Sequence, residues 1–137
     1  MITAFATRGE RLERLDLSDR HWGDATWIDL SCPTEAEEDA VEAALGIDIP
    51  TREDMQEIEV SSRIYREADS LFLTAQVVAS HALRETEIGP VKFVVLPKRL
   101  VTVHYHQPGS MKFFADWAAR HDTPLASGLS VLLALME

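Results

Sequence analysis

The segment from Thr34 to Gly46 fixes the kind of layer this chain can build. Thr34-x-x-Glu37 is a capping box, Pro33 precedes it, and Glu35, Glu37 and Glu38 suit the positive end of a helix dipole. Ala36, Ala40, Val41, Ala44 and Leu45 fall on one face, and Gly46 is the expected terminator. A helix that is apolar along one side only lies on a sheet, not inside it. The flanking sequence supplies the strands.

Ile2 to Thr7 and Arg11 to Leu15 read as two short strands around a turn containing Gly9. Leu17 to Asp24 is polar and irregular, with Trp22 as a loop anchor. Thr26 to Leu30 is a third strand, with Trp27, Ile28 and Leu30 as its apolar content. After Gly46 the chain turns through Pro50, and a short acidic helix is predicted from Thr51 to about Val60. The pattern then switches to strand at Ser62 to Tyr65. Glu67-Ala68-Asp69-Ser70 is a turn, and Leu71 to Val78 is the return arm, apolar enough for burial on both faces. His81 to Glu87 reads as a loop. Val91 to Leu96 and Leu100 to Tyr105 form the next hairpin through Pro97-Lys98-Arg99, where the proline suits a turn. Met111 to Arg120 is helical, with Phe113, Phe114, Trp117 and Ala118 expected in the core. Leu125 to Glu137 is a last helix, with Leu125, Leu129, Leu132, Leu133 and Met136 on one side. The predicted fold class is α+β, a three-layer αβα sandwich with a mixed, mostly antiparallel sheet, in one domain over residues 1–137.

The net charge of -10, from 23 acidic and 13 basic residues, argues against a general nucleic-acid footprint. The one cysteine, Cys32, allows no intrachain disulfide, has no CxxC context and is expected to pack near the end of the third strand. The N-terminus lacks the apolar run of a signal peptide, and Leu129 to Met136 is too short for a membrane span of about 20 residues. The fragment is therefore expected to be soluble. No G-x-S-x-G elbow, P-loop or G-x-G-x-x-G is present, so no enzyme activity is expected, and no cofactor is required for folding. His104 and His106 lie at i, i+2 on one strand face. They fit either a zinc or nickel pair or exposed residues beside the Gln107-Pro108-Gly109 turn. Lys92, Lys98 and Arg99 form a basic cluster expected at the surface.

Glu53 and Asp54 sit in the first turn of the predicted acidic helix. A hard divalent cation takes oxygen ligands, and adjacent carboxylates at a helix start suit one. Asp54, three residues after Thr51, also fits a helix-capping role. The two roles are compatible, since one carboxylate oxygen can cap while the other faces a cation.

The order of these features resembles the N-terminal cytoplasmic domain of the CorA family of divalent-cation transporters. The matching residues are Trp27, Ile28 and Asp29 of a WID strand, then Gly46, Ile47, Pro50, the Glu53-Asp54 pair, Arg63 and Tyr65. GPVKFVVLPKRLVTVHY resembles the family's central hairpin, and the likeness runs from about Trp27 to the end.

The resemblance implies a single regulatory domain, truncated before a stalk helix and two membrane helices, since the last helical pattern runs on without a cap. It implies homopentameric channels for Mg²⁺, with Co²⁺, Ni²⁺ or Zn²⁺ in some relatives, and a location on the cytoplasmic face of the inner membrane. The partners implied are the protein's own subunits, with membrane contact only through C-terminal helices absent from this sequence. The family's acidic pair maps to Glu53 and Asp54, which supply half of a regulatory divalent site at the subunit interface. A further family acid aligns with Glu137. The G-M-N pore motif is absent from this sequence. The alternative is an assembly domain of a ZntB-like zinc transporter that binds no metal.

Overall fold

The computed structural model describes residues 1–15, 23–49, 64–67, 69–80, 86–106, 108–121 and 127–136. Along these the strands are β1 (Ile2–Arg8), β2 (Arg11–Arg14), β3 (Trp27–Ser31), β4 (Ile64–Glu67), β5 (Ser70–Ser80), β6 (Thr86–Val95) and β7 (Leu100–His104). The helices are α1 (Glu35–Leu45), α2 (Gly109–Ala118) and α3 (Gly128–Met136).

The capping box forms as the sequence dictates. Thr34 Oγ1 accepts from the Glu37 amide at 3.2 Å, and the Thr34 amide donates to Glu37 Oε2 at 3.4 Å. Gly46 ends α1 in the left-handed region at φ 67°, with its N–H on the Glu42 carbonyl at 2.8 Å. The chain's terminal ammonium ties this helix start to the sheet. It donates to the Ser31 carbonyl at 2.7 Å and pairs with Glu37 at 2.8 Å.

The strands form one sheet in the order β2-β1-β3-β7-β6-β5-β4. Every described pairing is antiparallel except β3 with β7, which run parallel with Trp27 opposite Leu100 and Ser31 opposite His104. Period-2 alternation divides the side chains between two cores. Ile28, Leu30, Val94, Val101, Val103 and Phe72 face α1 and its Val41. Trp27, Val91, Phe93, Val95 and Leu100 face α2 and α3 through Met111, Phe114, Ala118, Val131 and Leu132. The result is an α+β, three-layer αβα arrangement with a mixed sheet, matching the expectation.

Several local expectations are corrected. β6 begins at Thr86 instead of Val91, so Gly89 and Pro90 are strand residues. Pro90 pairs with Gln76 of β5, and β7 joins β6 only from Val91 onward. The proline thus sits where its strand has one described neighbour and its missing N–H costs no bond. On β5, burial on both faces is limited, since Gln76 and Val78 are exposed. On α2, Phe114 and Ala118 are buried, but Phe113 is 71% exposed and Trp117 37%. The inward seam is Met111, Phe114 and Ala118 at i, i+3 and i+7, which turns Phe113 and Trp117 outward. Trp117 stacks instead on His121, ring centroids 4.8 Å apart. On α3 the seam is Val131 and Leu132, with Leu135 packed beside them, while Leu129 and Leu133 are half exposed. Cys32 is exposed rather than packed, at φ 43° just past β3. The predicted helix from Thr51, Trp22 and Leu125 lie outside the described residues.

Thr34→Ala removes the side-chain half of the capping box. The expected loss is about 1 kcal/mol of folding stability, read as a lower urea midpoint with an unchanged slope.

Candidate functional site

The three residues expected at an ion site, Glu53, Asp54 and Glu137, all lie outside the described residues. What the described chain places just before them is a concave acidic surface. Gly46, Ile47 and Asp48 leave the C-terminal end of α1 and, with Asp39, Glu42, Ala43, Glu67, Ser70 and Phe72, line a cavity of about 540 Å³. Four of these residues are acids, gathered at the helix end where the backbone dipole is itself negative. Glu42 is partly committed, because its Oε1 accepts from the Ile49 amide at 2.7 Å. Among the described residues no three His, Cys, Asp or Glu side chains come together as a metal-binding group.

A second constellation lies on the other sheet face, at the parallel join. The Trp27 indole N–H donates to Thr102 Oγ1 at 3.0 Å, and that hydroxyl donates to Asp29 Oδ1 at 2.5 Å. His104 Nε2 sits 2.9 and 3.0 Å from the two Asp29 oxygens, and its Nδ1 sits 2.7 Å from the His106 carbonyl. Alternation along β3 and β7 puts Trp27, Asp29, Thr102 and His104 on one face, and the parallel register sets them side by side. Burial pulls the His104 ring down. The hydrogen bond and charge of Asp29, with the His106 carbonyl, outweigh that and hold the ring above its usual 6.5.

His104 and His106 are thus 3% and 5% exposed, not strand-end surface residues. The zinc or nickel pairing they suggested is also unsupported. Their rings are 6.3 Å apart, and His106 Nε2 is spent on the Val77 carbonyl at 2.8 Å. His106 Nδ1 is buried without a hydrogen-bond partner, its ring lying against Gly89. The groove outside Asp29 and His104 runs between the sheet and α2, holds about 420 Å³ and is also lined by Arg14, Lys112 and Asp116.

Lys92 is the other correction. It was expected at the surface with Lys98 and Arg99, yet it is 1% exposed. Its ammonium lies 4.6 Å from the Tyr65 ring centroid and 5.6 Å from that of Phe72, and those two rings stack at 4.7 Å. Burial pushes the amine below its usual range. Alternation within VKFVVL does place Lys92 on the same face as Val94, so its inward aim was legible. A charged residue is ordinarily assigned outward, and no sequence signal shows the aromatic faces that receive it. The Asp29–His104 contact was likewise invisible, because 75 residues separate its members.

The family profile described as CorA-like Mg²⁺ transporter protein matches residues 22–136. The magnesium transport protein CorA of Yersinia pseudotuberculosis is 26% identical over 138 residues, covering all of this chain and 44% of that protein. That of Haemophilus influenzae is 26% identical over 137 residues, again covering 44% of its length. The chain therefore spans less than half the length of these relatives. Among solved structures, the complete CorA magnesium transporter of Methanocaldococcus jannaschii superposes with a TM-score of 0.69 at 16% identity, covering 99% of this chain and 43% of that one. The ZntB cytoplasmic domain of Vibrio parahaemolyticus gives 0.68 at 11% identity, covering 98% and 55%. At such identities the superpositions show a shared fold.

Gly89 is where this packing is tightest. A Cβ there would stand 2.8 Å from His106 Nδ1. Gly89→Ala is expected to lose about 1–3 kcal/mol by overpacking, measured by urea denaturation, with a shifted His106 ring resonance as its local signature.

Proposed function

Because this chain belongs to the CorA family, we propose that it is the cytoplasmic regulatory domain of a CorA-like Mg²⁺ transport channel. In this reading it senses divalent cations at subunit interfaces and thereby gates the pore. The observation that carries the reading is the match of the whole chain to magnesium transport proteins of more than twice its length. No helix among the described residues is long and apolar enough to cross a membrane. The conducting path, in this reading, belongs to sequence outside these 137 residues.

Glu53 and Asp54 are proposed as one side of the interfacial ion site, with Glu137 as a further acid. The acidic cavity at the end of α1 supports this, since it brings negative potential close to residue 50, where the described chain breaks off before the pair. Mg²⁺ keeps most of its waters and takes few protein ligands, so one subunit's carboxylates alone bind it weakly. A site completed only between subunits makes the assembly itself the sensor. Ions then favour the closed arrangement, and their loss lets the domains separate. Moving a two-state assembly from 1:99 to 99:1 takes roughly 5.5 kcal/mol of differential binding. Shared over the five interfaces of a homopentamer, that is about 1 kcal/mol each. A weak, hydrated site is therefore adequate to the task. Co²⁺, Ni²⁺ or Zn²⁺ would meet the same oxygen ligands.

The test is limited proteolysis of the full-length transporter with and without Mg²⁺. The wild type is expected to be protected by Mg²⁺, and Asp54→Ala to lose most of that protection while remaining assembled. Unchanged protection in Asp54→Ala removes this residue from the sensing site. Calorimetric titration of the full-length protein with Mg²⁺, Co²⁺ and Zn²⁺ that detects no heat for any of them would favour an assembly domain that binds no metal.

A further inference from the structure

His104 is unusual in that both of its ring nitrogens face oxygen acceptors. Nδ1 meets the His106 carbonyl, and Nε2 meets the Asp29 carboxylate. A carbonyl only accepts, and an ionised carboxylate only accepts. A neutral imidazole has a single N–H, so it would leave one lone pair facing another in a site 3% exposed. The extra proton resides either on Asp29 or on the ring. The hydrogen bonds decide between them. Thr102 Oγ1 accepts from the Trp27 indole and so turns its own hydrogen to Asp29 Oδ1. Oδ1 is therefore an acceptor, and Nε2 lies almost equally far from both Asp29 oxygens, at 2.9 and 3.0 Å, the fork that one N–H makes with a carboxylate. A carboxylic acid is the stronger acid of such a pair, so the second proton belongs to His104.

We propose that His104 and Asp29 form a buried imidazolium–carboxylate clasp whose proton holds the turn leading into α2 against the sheet. The carbonyl that His104 grips is that of His106, two residues before Pro108, which caps α2. The same turn is held on its other side by the His106 ring on the Val77 carbonyl of β5. Losing the proton breaks one of the two His104 contacts. If the carbonyl contact goes, the turn is released. If the carboxylate contact goes, Asp29, partly buried at 16% exposure, keeps Thr102 alone. This inference rests on the buried network and not on the ion-sensing reading.

Among the described residues the charged groups around the ring are few. From β3 comes Asp29, in direct contact, and from the head of β1 the Met1 ammonium, which opposes protonation. The turn contributes His106. Across the groove stand Arg14 from β2 and Lys112 and Asp116 from α2, all exposed. Val91, opposite His104 on β6, is apolar. Water screens the groove charges, which leaves Asp29 as the group that decides the proton's fate. The sign follows from a ring held above 6.5 in the folded state. The clasp's contribution to stability is complete below pH 6.5 and fades as pH rises through the folded value.

The experiment is a ring-nitrogen NMR titration of histidine-labelled protein, with amide hydrogen exchange followed in parallel along residues 105–112. At pH 6.5 both nitrogens of His104 are expected to carry protons. Exchange in the turn and the first turn of α2 is expected to accelerate through the His104 midpoint beyond what hydroxide catalysis alone gives. Asp29→Asn is expected to lower that midpoint by roughly one to three units. A His104 ring with a single N–H at pH 6.5 overturns the proposal, and so does exchange at residues 105–112 that ignores the midpoint. Both of these outcomes are read on the wild type and do not require the variant to fold.

Discussion

The parallel pairing of β3 with β7 is the contact on which this fold depends. On one side stands the antiparallel trio β2-β1-β3, on the other the meander β7-β6-β5-β4, and among the described strands the two pair only there. Partners such as Asp29 and Thr102 are 73 residues apart, so the join requires a long loop to close before any of its bonds forms. Hydrophobic alternation alone makes this join favourable but does not fix its register. The chain from Trp27 through Thr102 and Asp29 to His104 does fix it, because a slip of one residue would turn Thr102 and His104 to the face opposite Trp27 and Asp29.

What the sequence revealed divides along the range of the interactions. α1 was legible to the residue, since its capping box and terminal glycine act within a few positions. The β1–β2 hairpin with Gly9 at φ 64°, the core of β3 and the Pro97 turn were legible for the same reason. β6 was read short because Gly89 and Pro90 are loop residues by propensity. Only the tertiary neighbours, a histidine ring over Gly89 and a one-sided ladder at Pro90, make them strand residues. Aromatic content misled on α2, where Phe113 and Trp117 were placed inside although the seam passes through Met111 and Phe114. The family resemblance proposes Glu53, Asp54 and Glu137 as ion-site acids, and all three lie outside the described residues. The buried polar network of the opposite face was not legible at all, since its members become neighbours only through pairing.

The two faces of the sheet treat charge in different ways. On the α1 side a lysine is buried against aromatic rings, with Thr74, its cross-strand neighbour, keeping a buried hydroxyl unpartnered. Such an arrangement is costly to charge, which is consistent with the downward pull on the amine. On the α2 side a cation is buried but matched by a carboxylate. The former relies on ring faces and the latter on direct pairing, so the two sites respond oppositely to protonation.

The outermost described strands, β2 and β4, are four residues each, and both carry charges, Arg11, Glu13 and Arg14 on one and Arg66 and Glu67 on the other. Short charged borders of this kind resist edge-to-edge pairing with another sheet. Where two such domains meet, borders of this kind keep their backbones from joining into one continuous ladder.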